Sequence, residues 1–96
     1  MLTKDNKFLI VGDGLFGVTI ISIENRQNMF IISNVLLSGE VIGVTISSIN
    51  ARYLYVSSKG YRLLCLLDIN DMYKPIIIYC PASNGRGSAY ITESEN

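Results

Sequence analysis

The residues Gly12-Asp13-Gly14-Leu15-Phe16-Gly17 spell Gly-x-Gly-x-x-Gly directly after the apolar run Phe8-Leu9-Ile10-Val11, a spacing that can cradle phosphates. Dinucleotide binding needs a helix to follow, because its first amides meet the pyrophosphate. Here Val18-Thr19-Ile20-Ile21-Ser22-Ile23 follows, rich in β-branched residues that favour a strand. An acidic residue closing a second parallel strand about 20 residues further on is also missing. A kinase-type glycine loop would tolerate strands, but it needs a Val two places after the last Gly and then a strand Lys. Val18 is adjacent to Gly17, and no Lys lies between Lys7 and Lys59. The glycines therefore read as turn residues, and no cofactor is expected.

Asp68-Ile69-Asn70-Asp71 offers oxygen ligands, yet it lacks the glycine and distal Glu of a calcium loop, so these carboxylates are expected to accept turn amides instead. Glycoside chemistry needs two carboxylates facing one bond, and nothing in the spacing marks Asp13, Glu24 or Asp71 as a pair. The chain has no His, which removes the usual general base and every Ser-His or Cys-His arrangement. Cys65 and Cys80 lie in different apolar segments without Cys-x-x-Cys spacing and read as buried free thiols; their spacing does not supply the geometry of a bridge. Of the six tyrosines, Tyr53, Tyr55, Tyr79 and Tyr90 read as packing residues, while Tyr61 and Tyr73 are the better candidates for exposed binding positions. No residue is assigned a catalytic, cofactor-binding or metal-binding role, and the chain is expected not to be an enzyme.

The elements that would position these residues are short apolar, β-branched or aromatic runs between turn residues: Lys7 to Val11, Gly17 to Ile23, Met29 to Leu37, Val41 to Ser48, Tyr53 to Ser57, Arg62 to Ile69, Pro75 to Cys80 and Ser88 to Thr92. Eight strands and no helix are predicted. Turn chemistry separates them, at Gly12-Asp13-Gly14, Glu24 to Asn28, Ser38-Gly39-Glu40, Ile49-Asn50-Ala51, Ser58-Lys59-Gly60, Asn70-Asp71 and Ser83-Asn84-Gly85. Connections this short favour antiparallel neighbours. Runs such as Phe8 to Val11 and Ile76 to Ile78 are apolar without alternation, so both faces of their sheets should be covered.

Apolar residues make up 49% of the 96 residues, enough to exclude disorder. Eight basic and eight acidic side chains cancel, which removes the electrostatic footprint of a nucleic-acid or anionic-membrane binder. The stretch from Phe8 to Ile23 is broken by Gly12-Asp13-Gly14 and lacks a cleavage site, so no signal peptide is read there. Met29 to Ala51 is interrupted by Asn34, Ser38-Gly39-Glu40 and Ser47-Ser48, which reads as two strands and a turn rather than a membrane span.

Internal repetition organises these strands. Gly14 and Gly60, Ile23 and Ile69, Ile31 and Ile77, Ile32 and Ile78, Gly39 and Gly85, Ser48 and Ser94, and Asn50 and Asn96 all lie 46 residues apart (60 minus 14). Upstream of Gly14 the offset is 45, from Leu9 with Leu54 and Val11 with Val56, which places one inserted residue in a turn at Ser57-Ser58-Lys59. Four strands per period of about 46 residues is β-propeller blade spacing. The fold class predicted is all-β: two tandem four-stranded antiparallel blades, a fragment of a larger propeller. Residues 1–6 form a lead-in, 7–50 the first unit with the first strand of the next blade, and 51–96 the second unit ending in the first strand of a third.

These units resemble the LVIVD-repeat family. The second carries Tyr53-Leu54-Tyr55-Val56, Gly60, Leu63 to Asp71 ending the apolar strand in Asp68, and Lys74-Pro75-Ile76-Ile77. The first is degenerate, with Ser22 where the Asp falls and Met29 where the Pro falls. The resemblance covers Lys7 to Asn96 and implies a noncatalytic propeller used as a protein or glycan interaction module, often in exported or surface-attached proteins. Two other classes are a structural unit closing a ring as a homo-oligomer, and part of an enzyme completed by further blades, which acidic residues lining a central channel in those blades would mark. The partners expected are further blades, from the same polypeptide or other copies, and a protein or glycan at one rim.

Overall fold

The computed structural model describes residues 1–59 and 64–81, and seven strands account for most of them. Strands β1 (Phe8–Gly12), β2 (Val18–Ser22) and β3 (Phe30–Val35) form one sheet in that order. Strands β4 (Glu40–Ile46), β5 (Tyr53–Lys59), β6 (Leu64–Asp68) and β7 (Ile76–Tyr79) form a second. Every pairing is antiparallel between consecutive strands, as short connections dictate. The protein is thus all-β with two meander sheets, and no helix occurs among the described residues. The two sheets do not close a ring. The predicted strand Ser88 to Thr92 lies outside the described residues, as do Gly60, Tyr61, Gly85 and Tyr90.

The 46-residue period is a period of structure. Strand β6 starts 46 residues after β2 (64 minus 18), β7 starts 46 after β3 (76 minus 30), and β5 starts 45 after β1 (53 minus 8). Hydrogen bonds repeat with the strands: Ile23 N–H donates to the Lys7 carbonyl at 2.9 Å, and Ile69 N–H to the Arg52 carbonyl at 2.8 Å. The turns after β2 and β6 also correspond. Asn25 Oδ1 accepts the Gln27 amide, and 46 positions on Asp71 Oδ1 accepts the Tyr73 amide. Even the irregularities coincide, since a bulge between Ile20 and Ile21 on the β2–β3 ladder recurs between Leu66 and Leu67 on β6–β7. The bulges leave Ile32 and Ile78 as the extra residues, and bulges of this kind are structural features rather than defects.

The segment ahead of β1 joins the first sheet. Met1 and Ile10 exchange both backbone hydrogen bonds, Leu2 bridges Leu9, and Thr3 N–H donates to the Phe8 carbonyl at 3.0 Å. In the second unit Ser47 N–H makes the equivalent bond to Tyr53 at 2.9 Å. Met1 to Thr3 therefore sit where the end of β4 sits in the second unit. The turn between them and β1 is tied by Thr3 Oγ1, which donates to Asp5 Oδ1 and accepts from the Phe8 amide, with Asn6 in the left-handed region at φ 59°.

One core lies between the sheets. The first sheet contributes Ile10, Val18 and Ile20, and the second Val41, Leu54, Val56, Cys65, Leu67 and Ile69. The two units use opposite faces to make it: the counterparts of Ile10, Val18 and Ile20 are Tyr55, Leu64 and Leu66, which lie on the far side of the second sheet. Conversely, Leu54, Val56, Cys65 and Leu67 correspond to Leu9, Val11, Thr19 and Ile21 on the far side of the first. The stacking is head to tail.

Three sequence expectations need correction. Tyr79, read as a packing residue, is exposed on β7. The supposed turn at Ser58-Lys59 is strand, since β5 runs on to Lys59 and pairs Ser57 with Gly43, Ser58 with Val41 and Lys59 with Glu40. A bulge at Ile42 lengthens β4 to match, and this keeps Val41 in the core. The cysteines are not free thiols: Cys65 and Cys80 form a disulfide across β6 and β7 with Cα atoms 4.2 Å apart. Leu66 pairs with Tyr79, so the next step of the ladder sets Cys65 against Cys80. Opposed residues of a non-hydrogen-bonded antiparallel pair lie about 4.5 Å apart, within reach of a bridge.

Gly17 is held by its surroundings as well as its backbone. It sits at φ 82°, and a Cβ there would run into the Val35 carbonyl oxygen. Gly17→Ala should cost about 1–3 kcal/mol through the unfavourable φ alone, more with the clash, read as a lower urea midpoint.

Candidate functional site

The strands define two rims and, on each sheet, a second face turned away from the shared core. At one rim the glycine motif is the hairpin between β1 and β2, closed by Asp13 N–H donating to Gly17 at 2.8 Å and Phe16 N–H to Asp13 at 2.9 Å. Val41 N–H donates to Gly14 at 2.9 Å, tying this hairpin to the second sheet. The amides of Asp13, Phe16 and Gly17 are thus spent on the turn. Leu15 and Phe16 are exposed at its tip.

The opposite rim gathers the loops after Thr3, β2, β4 and β6. Five carboxylate or amide side chains there accept the amide two residues on: Asp5 from Lys7, Asn25 from Gln27, Asn50 from Arg52, Asp68 from Asn70 and Asp71 from Tyr73, at 2.9–3.0 Å. This is the Asx-turn geometry that makes these residues good at turns. The Asp68 to Asp71 segment is therefore built as two such turns, and no group of three metal-ligating side chains occurs among the described residues. Asp13 lies at the far rim from Glu24 and Asp71, so the three carboxylates are not brought together. Tyr73 is 58% exposed, matching its expected place at a surface.

Asp68 also accepts Arg52 Nε at 2.8 Å, with the guanidinium 2.7 Å from its Oδ2. The Asn70 amide first, then Arg52, hold the Asp68 carboxyl below the ordinary carboxylate range. A lowered folded-state pKa stabilises above the unfolded value of 3.8, and that contribution fades as pH falls through the folded value. Asp68→Asn should therefore flatten the acid limb of a stability profile below about pH 4 and leave its slope near neutrality unchanged. Acid titration of the urea midpoint in both proteins checks this.

No family model, curated protein or solved structure matches the chain. The surfaces themselves must carry the reading.

The faces turned away from the core were only partly visible to sequence reasoning. On the far side of the first sheet Leu2, Leu9, Ile23, Arg26 and Met29 line an open hollow of about 410 Å³. Beside it Asn34 Nδ2 donates to Thr19 Oγ1 at 2.9 Å, and Thr19 Oγ1 reaches Asp13 Oδ2 at 3.5 Å. Thr19 and Asn34 occupy the positions that Cys65 and Cys80 hold 46 residues later, so a hydrogen bond ties β2 to β3 where a disulfide ties β6 to β7. The far side of the second sheet carries Tyr53, Tyr55, Leu64 and Leu66, all half-buried, and the four residues of β7 are exposed. The signal for these surfaces was the repeat itself, applied to the faces rather than to identities.

Proposed function

We propose that the chain is a pair of β-propeller-type blades that works as a noncatalytic interaction module, with its faces covered by further blades and its Asx-turn rim offered to a protein or glycan. The observation that carries this reading is the head-to-tail stacking of two repeated sheets, each carrying apolar side chains on the face turned away from the shared core as well. A sheet apolar on both sides is the pattern of a blade between blades. The resemblance to LVIVD repeats agrees with it. The cross-strand disulfide is compatible with an oxidising compartment, where exported propellers work.

The rim supports binding rather than turnover. Asp5, Asp68 and Asp71 there are engaged in turns, while Tyr73, Lys74 and Arg26 are exposed. Tyrosine and arginine are the side chains that most often anchor an interface. Probing glycan and peptide arrays with the labelled chain, alongside Tyr73→Ala, tests this. Selective capture that weakens about tenfold or more in the variant is expected. An array on which nothing is retained, or on which the retained glycan is cleaved, would contradict it.

A further inference from the structure

At the Asx-turn rim the two sheets part around a cleft of about 210 Å³, lined by Thr3, Lys4, Asp5, Ile46, Ala51 and Met72. Its walls are largely apolar. Ile46 and Met72 are half-buried and packed against the core, while Ala51, Lys4 and Asp5 are exposed. The first sheet brings the turn that follows Met1 to Thr3, and the second brings the end of β4, its hairpin to β5 and the loop after β6. Both ends of the connection from Lys59 to Leu64 lie at the other rim.

These walls are tied across the two sheets. Ser33 Oγ donates to the Met72 carbonyl at 2.7 Å, and the Ile46 amide donates to Met1 Sδ at 3.3 Å. Asn50 Oδ1 accepts the Arg52 amide at 3.0 Å, which fixes the turn that carries Ala51. A cleft held this way is already in shape, so an occupant bears little ordering cost. The Met72 side chain, an unbranched thioether, can still adjust to what enters.

Size and polarity select the occupant. Sites for small molecules and cofactors commonly hold about 300–1,000 Å³, so this cleft has room for one large side chain rather than a cofactor. A sugar would bring hydroxyl groups against Ile46, Ala51 and Met72, whose side chains offer them no hydrogen bond. The polar groups nearby are already engaged: Thr3 Oγ1 donates to Asp5 Oδ1 and accepts the Phe8 amide, and Asp5 Oδ1 also accepts the Lys7 amide. The Lys4 ammonium is different. It is exposed and forms no ion pair with a described residue.

We propose that this cleft receives one aliphatic side chain of a protein partner, with an acidic residue next to it in the partner's chain paired to Lys4. The inference rests on the interaction-module reading above and chooses a peptide over a glycan at one place on its rim.

Capped pentapeptides of glycine with an adjacent leucine and aspartate at their centre supply the probe, with methyl glucoside as the carbohydrate control. Titration into the full chain, followed by the Ile46 and Met72 methyl resonances, is expected to move both saturably, with a dissociation constant in about the millimolar range. Replacing the peptide's leucine by alanine should weaken binding about tenfold or more. Lys4→Glu should lower the affinity for the aspartate peptide about twofold to fivefold and favour a peptide with lysine in its place. Ala51→Leu, which narrows the cleft from an exposed turn and leaves the core alone, should abolish the shifts with the β-sheet circular dichroism signal unchanged. Methyl resonances unmoved at about 10 mM peptide, shifts from the glucoside as large as those from the peptide, or a preference unchanged by Lys4→Glu would each overturn the proposal. So would Overhauser contacts from the Ile46 and Met72 methyls to residues 82–96 in the free chain, which would mean that the chain fills its own cleft. Array binding that depends on Tyr73 would leave the interaction-module reading standing in each case, so the two can fail separately.

Discussion

Leu67→Ala is expected to lower the unfolding free energy by about 2–5 kcal/mol, the range for deleting a leucine from a packed core. Leu67 is fully buried and belongs to the cluster shared by both sheets. Its neighbours come from two sheets whose backbones are fixed by their own ladders, so the site has little freedom to collapse around the lost atoms. The counterpart Ile21 sits on the face turned away from the core, half-buried, and Ile21→Ala should cost no more than about 1 kcal/mol. The difference between two positions of equal rank in the repeat is the useful quantity. Urea unfolding at low protein concentration, with the slope unchanged, would measure both. Equal losses would mean that the two faces are covered alike and that the head-to-tail stacking is wrong.

Removing the disulfide with Cys65→Ser and Cys80→Ser is expected to cost about 3 kcal/mol, the loop-closure value for a 15-residue span. The loss should begin locally. All four residues of β7 are exposed, and the strand is held by its ladder to β6 and by the bridge to Cys80, itself packed against the core. Without the bridge, β7 should open before the rest of its sheet, and its amides should exchange faster than those of β5. Strand β3, tied by Thr19 and Asn34 instead, should be unaffected. Hydrogen exchange with and without dithiothreitol would show this. Unchanged β7 protection in reductant would mean that the bridge does not hold the strand.

Much of the architecture was legible because it is local. Strand after strand is bounded by Gly, Asn or Asp turn chemistry, and short connections leave antiparallel pairing as the natural outcome, as the β1–β2 hairpin at Gly12 to Gly17 illustrates. The strand following that motif also removed the phosphate-binding reading without any coordinates. The repeat was legible in a handful of identities, and the structure extends it to hydrogen bonds, Asx turns and bulges that identities do not record.

What escaped is non-local or depends on register. Cys65 and Cys80 meet only because a bulge between Leu66 and Leu67 sets their step in the ladder, and a spacing of 15 residues carries no trace of it. Ser58 and Lys59 carry turn-like chemistry but are drawn into β5 by the lengthened β4 beside them. The pairing of Met1 to Thr3 with β1 could not be read from three residues. The carboxylates of Asp68 and Asp71 were expected to serve turn amides, and they do, yet the partner of Asp68 across the hairpin, Arg52, emerged only from the pairing of β5 with β6.

Methyl-to-methyl nuclear Overhauser contacts within one selectively labelled chain, diluted in unlabelled chain, would examine the stacking of the sheets most directly. Cross-peaks should link the Ile10, Val18 and Ile20 methyls to those of Leu54, Val56 and Leu67. Cross-peaks from Leu9 and Ile21 to that same set, with none from Ile10 and Ile20, would show the first sheet turned over and the head-to-tail repeat mistaken.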